Sequence, residues 1–199
     1  MNRNRIMKDT NQKGNSLIEV LGVLSILAMA TVGIYTGISN VYGRFRMTSG
    51  VQDTKNIIKA MRDYFSSSQP ASISTEKLME LGIFDSYYDD AKQYASNFLG
   101  LKTEIKISGQ YSSDFAPAGS EKTFRLYTYD VPMRTCVELL DADWGGNESS
   151  GLAEIGVNTK KFRWPKDSGG DYSLPPDLND VTVACDQNGD VTIYWEYFF

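Results

Sequence analysis

The sequence predicts an α+β protein, a long N-terminal α-helix packed on an antiparallel β-sheet head. Three observations lead there. Residues 1–69 contain no proline and carry apolar side chains at helical spacing. Beyond residue 102 the chain breaks into short alternating runs separated by Gly, Pro, Asn and Asp. Charge also divides the chain in order: a basic leader, an uncharged apolar segment, and a polar, acidic, aromatic-rich remainder. With 199 residues and 41% hydrophobic content, the remainder is long enough to bury one core.

Composition narrows the function. The chain has no histidine, which removes the commonest general base, pH switch and zinc ligand together. A net charge of −5 argues against a nucleic-acid partner. No Gly-rich phosphate cradle, spaced pair of catalytic acids or nucleophile-with-base motif is present. The reading is of a protein that is not an enzyme and holds no cofactor.

The N-terminal segment carries the sharpest signals. Before Gly14 stand Arg3, Arg5, Lys8 and Lys13 against Asp9 alone, and residues 20–43 contain no Asp, Glu, Lys or Arg. As a helix those residues would extend about 36 Å, enough to cross a bilayer core of about 30 Å. The basic flank places the leader in the cytoplasm and the large C-terminal part across the membrane. A secretory signal peptide cut near Ala28–Met29–Ala30 is the rival, but apolar character continues through Val32, Ile34, Tyr35 and Ile38. Glu19 opens the apolar run, where a carboxylate at bilayer depth costs about 3 kcal/mol and needs a partner. Its plain alternative is an acid in a first helical turn, favoured by the helix dipole.

The stretch Lys13–Gly14–Asn15–Ser16–Leu17–Ile18–Glu19 resembles the prepilin peptidase site of type IV pilins and type II secretion pseudopilins. The resemblance implies a leader over 1–14, cut after Gly14 by prepilin peptidase. Asn15 then becomes the methylated first residue and Glu19 the fifth. The implied fold is the pilin fold: a spine helix over 15–66, with 20–43 its membrane-spanning half, and a globular head over 67–199. The implied partners are membrane lipid before assembly, the inner-membrane pilus machinery, and further copies of the chain in a helical homopolymer. The implied location is the inner membrane for the precursor and then an extracellular pilus. Cleavage leaves an α-amino cation on Asn15, and Glu19 of a neighbouring copy is the anion that can pair with it during assembly.

The helical pattern continues past the apolar run. Val51, Ile58, Met61 and Phe65, with Ile57 and Tyr64 beside them, recur at three, four and seven, while Lys55, Lys59, Arg62 and Asp63 fall between. One helix from about Ser16 to Phe65 follows. Gly22, Gly33 and Gly37 each cost it about 1 kcal/mol relative to alanine. Loosening near Gly33–Gly37 within a filament is one expectation, and close helix packing at these glycines is the other.

In the head, Ser74 caps a short helix through Leu78 and Met79 that stops at Gly82. Residues 83–97 fit either a second short helix or an irregular loop. Strands are predicted over 103–108, with Ile105 and Ile107 on one face, and over 123–131, with Phe124, Leu126 and Thr128 opposing Arg125, Tyr127 and Tyr129. A Gly/Ser/Pro-rich connection around 110–119 joins them. Pro132 opens a helix holding Cys136, Leu139 and Leu140. Residues 141–170 look like loop, and 181–185 and 191–198 like a final hairpin across Asn188–Gly189.

Cys136 and Cys185 are the only cysteines, and export makes their pairing the default, with two reduced buried thiols as the alternative. A cysteine-bearing helix after a strand, followed by a last strand pair that begins with a cysteine, resembles the type IVb pilins. That resemblance implies a disulfide-bounded region over 136–185. Asp141, Asp143, Asp177 and Asp180 show no metal-ligand spacing and read as solvated loop acids. Lys160, Lys161, Arg163 and Lys166 cluster around Trp164, either as a contact site or as a solvated loop. Within the same N-terminal signals a pseudopilin or minor pilin remains open. From other classes, so do a single-pass membrane sensor and a released lectin-like or enzymatic domain.

Overall fold

The computed structural model describes residues 17–68, 70, 72–89, 91–108, 122–145, 150–163, 170–187 and 189–199; of residues 17, 18, 33–40 and 108 it describes the backbone only. The chain divides into two compact units, Met1–Gly43 and Arg44–Phe199, which are taken in turn.

The helix α1 runs Leu17–Ser68, as the proline-free sequence predicts. Within the first unit its described large apolar side chains are all exposed, from Val20 at 46% to Met29 at 73%. They point in every direction around the axis, so no face is set aside for water. Two hydroxyls in this run are satisfied locally. Ser25 Oγ donates to the Leu21 carbonyl at 2.8 Å and Thr31 Oγ1 to the Ala28 carbonyl at 2.9 Å, which lets both tolerate apolar surroundings. Gly33 and Gly37 lie within α1.

In the second unit the helix becomes amphipathic. Ile57, Ile58, Met61 and Phe65 are buried, at the spacing read from the sequence. Phe65 is the anchor, its ring 5.1 Å from Phe124 and 4.6 Å from Phe199. The helix also holds the segment that follows it. Leu99 packs onto Gly50, where an added Cβ would lie 2.6 Å from its Cγ. Asp53 accepts from the Phe98 N–H at 3.0 Å and Arg46 donates to the Leu99 carbonyl at 3.2 Å.

Helix α2 (Thr75–Glu80) is capped by Ser74, whose hydroxyl accepts from the Lys77 N–H at 3.3 Å, and Gly82 leaves it at φ +68°. Residues 83–97 resolve into two short strands, β1 (Ser86–Tyr87) and β2 (Ala95–Ser96). Strands β3 (Lys102–Ser108) and β4 (Thr123–Val131) pair antiparallel with Ile105 opposite Leu126. The connection predicted around 110–119 lies outside the described residues. Helix α3 (Met133–Leu140) follows with Pro132 as its N-cap, one position earlier than a first-turn proline.

Two predictions are corrected here. Residues 141–170 are not simply loop: they include the hairpin β5 (Leu152–Val157) and β6 (Lys160–Arg163). Every residue of β5 is buried, so its sequence lacks the alternation that marks a half-exposed strand. Residues 181–185 are not a strand but the end of helix α4 (Leu178–Cys185). Asp177 caps it by accepting from the Asn179 N–H at 2.7 Å, and Val181, Ala184 and Cys185 turn inward at helical spacing. The β-branched run suggested a strand, and tertiary burial of one helical face overrode that propensity. Asn188 of the expected hairpin lies outside the described residues.

The last strand, β8 (Val191–Phe198), therefore pairs with distant partners, β4 on one side and β5 on the other. With the short β7 (Tyr172–Ser173) the sheet order is β1-β2-β3-β4-β8-β5-β6-β7, antiparallel throughout except for β6–β7. Phe124, Leu126, Ile155, Phe162, Ile193 and Trp195 join Met61 and Phe65 of α1 in one core.

Candidate functional site

Gly14 and Asn15 lie outside the described residues. Glu19 is described, exposed in the first turn of α1. Among the described residues no cation stands within ion-pairing distance of it. The apolar positions that follow have no cover within their own unit. Water is a poor solvent for such a helix, at about 25 cal/mol per Å² of apolar surface. Among the described residues no helix is long and apolar enough to cross a membrane. The spanning run predicted over 20–43 depends on residues 33–40, whose side chains are outside that set.

In the head, Cys136 of α3 and Cys185 of α4 form a disulfide, Cα–Cα 5.9 Å, with neither residue exposed. It joins two helices, not a helix and a strand. Trp144, just past α3, lies 4.9 Å from Trp195 of β8 and donates to the Leu139 carbonyl at 2.7 Å. Closing a 49-residue separation stabilises this corner by about 4 kcal/mol on the chain-entropy account.

The candidate acids and bases sort by partner. Asp177 caps α4, and Asp143 accepts from the Gly145 N–H at 2.9 Å. No group of three metal-ligating side chains occurs among the described residues. Lys160 faces Asp171 at 3.8 Å, Lys161 faces Glu154 at 4.0 Å, and Arg163 is ion-paired with Glu154. The predicted basic cluster is thus partly neutralised, while Trp164 and Lys166 lie outside the described residues. Between α1 and the turn after α3 runs a cleft of about 630 Å³, walled by Lys55, Lys59, Arg62, Asp143, Trp144 and Tyr197. Arg62 donates across it to the Ser150 carbonyl at 2.8 Å.

The sheet face turned away from Phe65 holds an arrangement not found by sequence reasoning. One cross-strand row reads Lys106, Arg125, Glu196, Glu154, Arg163 from β3 to β6. The next reads Glu104, Tyr127, Tyr194, Gly156, Lys161. Glu154 and Glu196, side by side, have no exposed surface, a placement that demands counter-ions. Arg125 Nε donates to Glu196 at 2.9 Å, the Thr123 hydroxyl donates to the same carboxylate at 2.5 Å, and Tyr194 and Arg163 bind Glu154. Gly156 has no side chain because the Tyr194 ring occupies that space. Burial first, and then the hydrogen bond to Glu154, hold the Tyr194 phenol well above the ordinary tyrosine range. The available signal was a single acid inside the aromatic strand Tyr194–Trp195–Glu196–Tyr197–Phe198. Glu154 sat in a segment read as loop.

The fold class is therefore the predicted one: an α+β protein with a long N-terminal helix and an antiparallel-rich sheet. Over its N-terminal part the chain is also similar to a known motif. Residues 9–35 match the model of the prokaryotic N-terminal methylation motif, a stretch that includes Gly14, Asn15, Glu19 and the start of α1. No curated protein matches the chain. The motif match and the fold together support a type IV pilin-like precursor.

Proposed function

We propose that this chain is the structural subunit of a type IV pilus filament. The observation that carries the reading is the methylation-motif match over 9–35, overlapping the part of α1 before Arg44 whose described large apolar side chains are all exposed. Prepilin peptidase cuts after Gly14 and Asn15 is methylated. The precursor waits in the inner membrane with its lipid-facing helix, and pilus machinery transfers it into a homopolymer. There Glu19 of one copy meets the Asn15 amine of another, turning an unpaired charge into a paired one and fixing axial register. The heads form the outer shell of a surface filament serving adhesion, motility or DNA transfer. A pseudopilin of a secretion system, or a minor pilin, shares the same processing. The type IVb affinity rests on the α3–α4 disulfide and on Asn15, since Cys185 ends a helix and does not begin a strand.

Intact mass and N-terminal sequence of the protein from its native host test the reading. A methylated start at Asn15 is expected. An intact Met1 would indicate a membrane-anchored sensor, and a start near Thr31 ordinary secretion; either overturns it. Abundance in sheared filaments separates a major subunit from a minor one.

A further inference from the structure

The outer sheet face carries a charge opposite to that of the whole chain, which is net −5. Its described cations are Lys102, Lys106, Arg125, Lys161 and Arg163. Its carboxylates are Glu104, Glu154 and Glu196, the last two without exposed surface, and at the β6 rim Asp171, 41% exposed, accepts from the Lys161 N–H at 3.0 Å. The arginines serve as counter-ions to that buried pair. At solvent, ammonium outweighs carboxylate although both lysines are ion-paired: Lys106, 53% exposed at the side chain, lies 2.9 Å from Glu104, which is 23% exposed, and Lys161, 41% exposed, lies 4.0 Å from the buried Glu154. Between the lysines lie aromatic rings. Tyr127 and Tyr129 are near-parallel, 11° apart with centroids at 5.9 Å. Lys102 stands 5.1 Å from the Tyr129 ring and 3.7 Å from Tyr94, and Lys106 stands 5.2 Å from Tyr127. Ring and ammonium attract, so the lysines are held in place before any partner arrives.

We infer that this face binds an acidic polysaccharide, its sugar rings laid on Tyr127 and Tyr129 and its carboxylates met by Lys102, Lys106 and Lys161. Four strand spacings separate β3 from β6, about 19 Å, so one small anion cannot engage both rims while a polymer can. Duplex DNA carries one charge per about 1.7 Å and would bring several times more negative charge than these lysines neutralise, next to an acidic head. A uronate polymer carries one carboxylate per sugar, a density that three lysines match. The flat apolar side of a pyranose suits the parallel phenol rings. The inference goes beyond filament assembly and does not need it.

The test uses the purified full-length chain in detergent, immobilised and exposed to polygalacturonate, neutral dextran and duplex DNA. Polygalacturonate should bind, more weakly as salt rises, and dextran should not. Lys102→Gln with Lys106→Gln should weaken binding about tenfold at unchanged secondary structure. Lys161→Gln, on the opposite rim and away from the tyrosines, should weaken it severalfold and covers the case in which the double variant misfolds. Absence of polygalacturonate binding, equal binding of dextran, tighter binding of DNA, or folded lysine variants that bind like the original protein would each overturn the inference.

Discussion

Replacing Arg125 with methionine strikes the most highly charged buried point of the head. Glu196 would keep the Thr123 hydroxyl but lose its guanidinium, with Glu154 directly opposite on β5. Breaking a buried ion pair costs about 3–5 kcal/mol, because the remaining charge stays in a low-dielectric site. The Arg125 side chain is 28% exposed, so solvent screens part of the pair and the expected loss falls near the lower bound, about 3 kcal/mol. Methionine keeps most of the arginine stem's packing, which isolates the charge. Urea unfolding followed by tryptophan fluorescence reads the head, since Trp144, Trp164 and Trp195 all follow residue 43. Arg125→Met combined with Glu196→Met should recover most of the loss, because both charges are then gone. A single variant costing less than about 1 kcal/mol would refute the reasoning. So would a double variant no more stable than the single one.

Other predictions follow from separate contacts. Gly50→Ala should destabilise by about 1–3 kcal/mol through collision with Leu99, and adding Leu99→Ala should relieve the collision while introducing its own packing loss, so the two effects combine non-additively in a denaturation cycle. Cys136→Ser with Cys185→Ser should cost about 4 kcal/mol and expose the α3–α4 corner to limited proteolysis, whereas a thermal midpoint that hardly moves would show the pairing to be dispensable. Tyr129, Tyr194 and Tyr197 are held above the ordinary tyrosine value of 10.0, chiefly by burial. Their unfolded counterparts lose protons first, so stability should be steady below that pH and fall as pH rises past it. Phenolate absorbance should then show late-ionising tyrosines appearing together with unfolding. Glu19→Ala should leave cleavage intact and lower filament yield, and unchanged filament yield would remove Glu19 from assembly.

Local chemistry made much of this chain legible in its sequence. An uninterrupted helical spacing gave α1 and its buried stripe from Ile57 to Phe65, because periodicity of 3.6 is a property of the segment alone. Alternation gave β3 and β4, Ser74 gave the start of α2, and the leader with Gly14 and Glu19 pointed to the motif matched over 9–35. The tertiary structure decided what depended on partners far along the chain. β5 lies in a stretch that reads as loop until β8 and β6 pair with its two edges, and only the assembled sheet sets the Tyr194 ring where a Gly156 side chain would stand. Val181–Cys185 favours a strand by composition and becomes helix because Asp177 caps it and its inward face meets the core. Glu154 and Glu196 stand 42 positions apart and acquire meaning only as cross-strand neighbours, since no turn joins their strands directly and the assembled sheet brings them together.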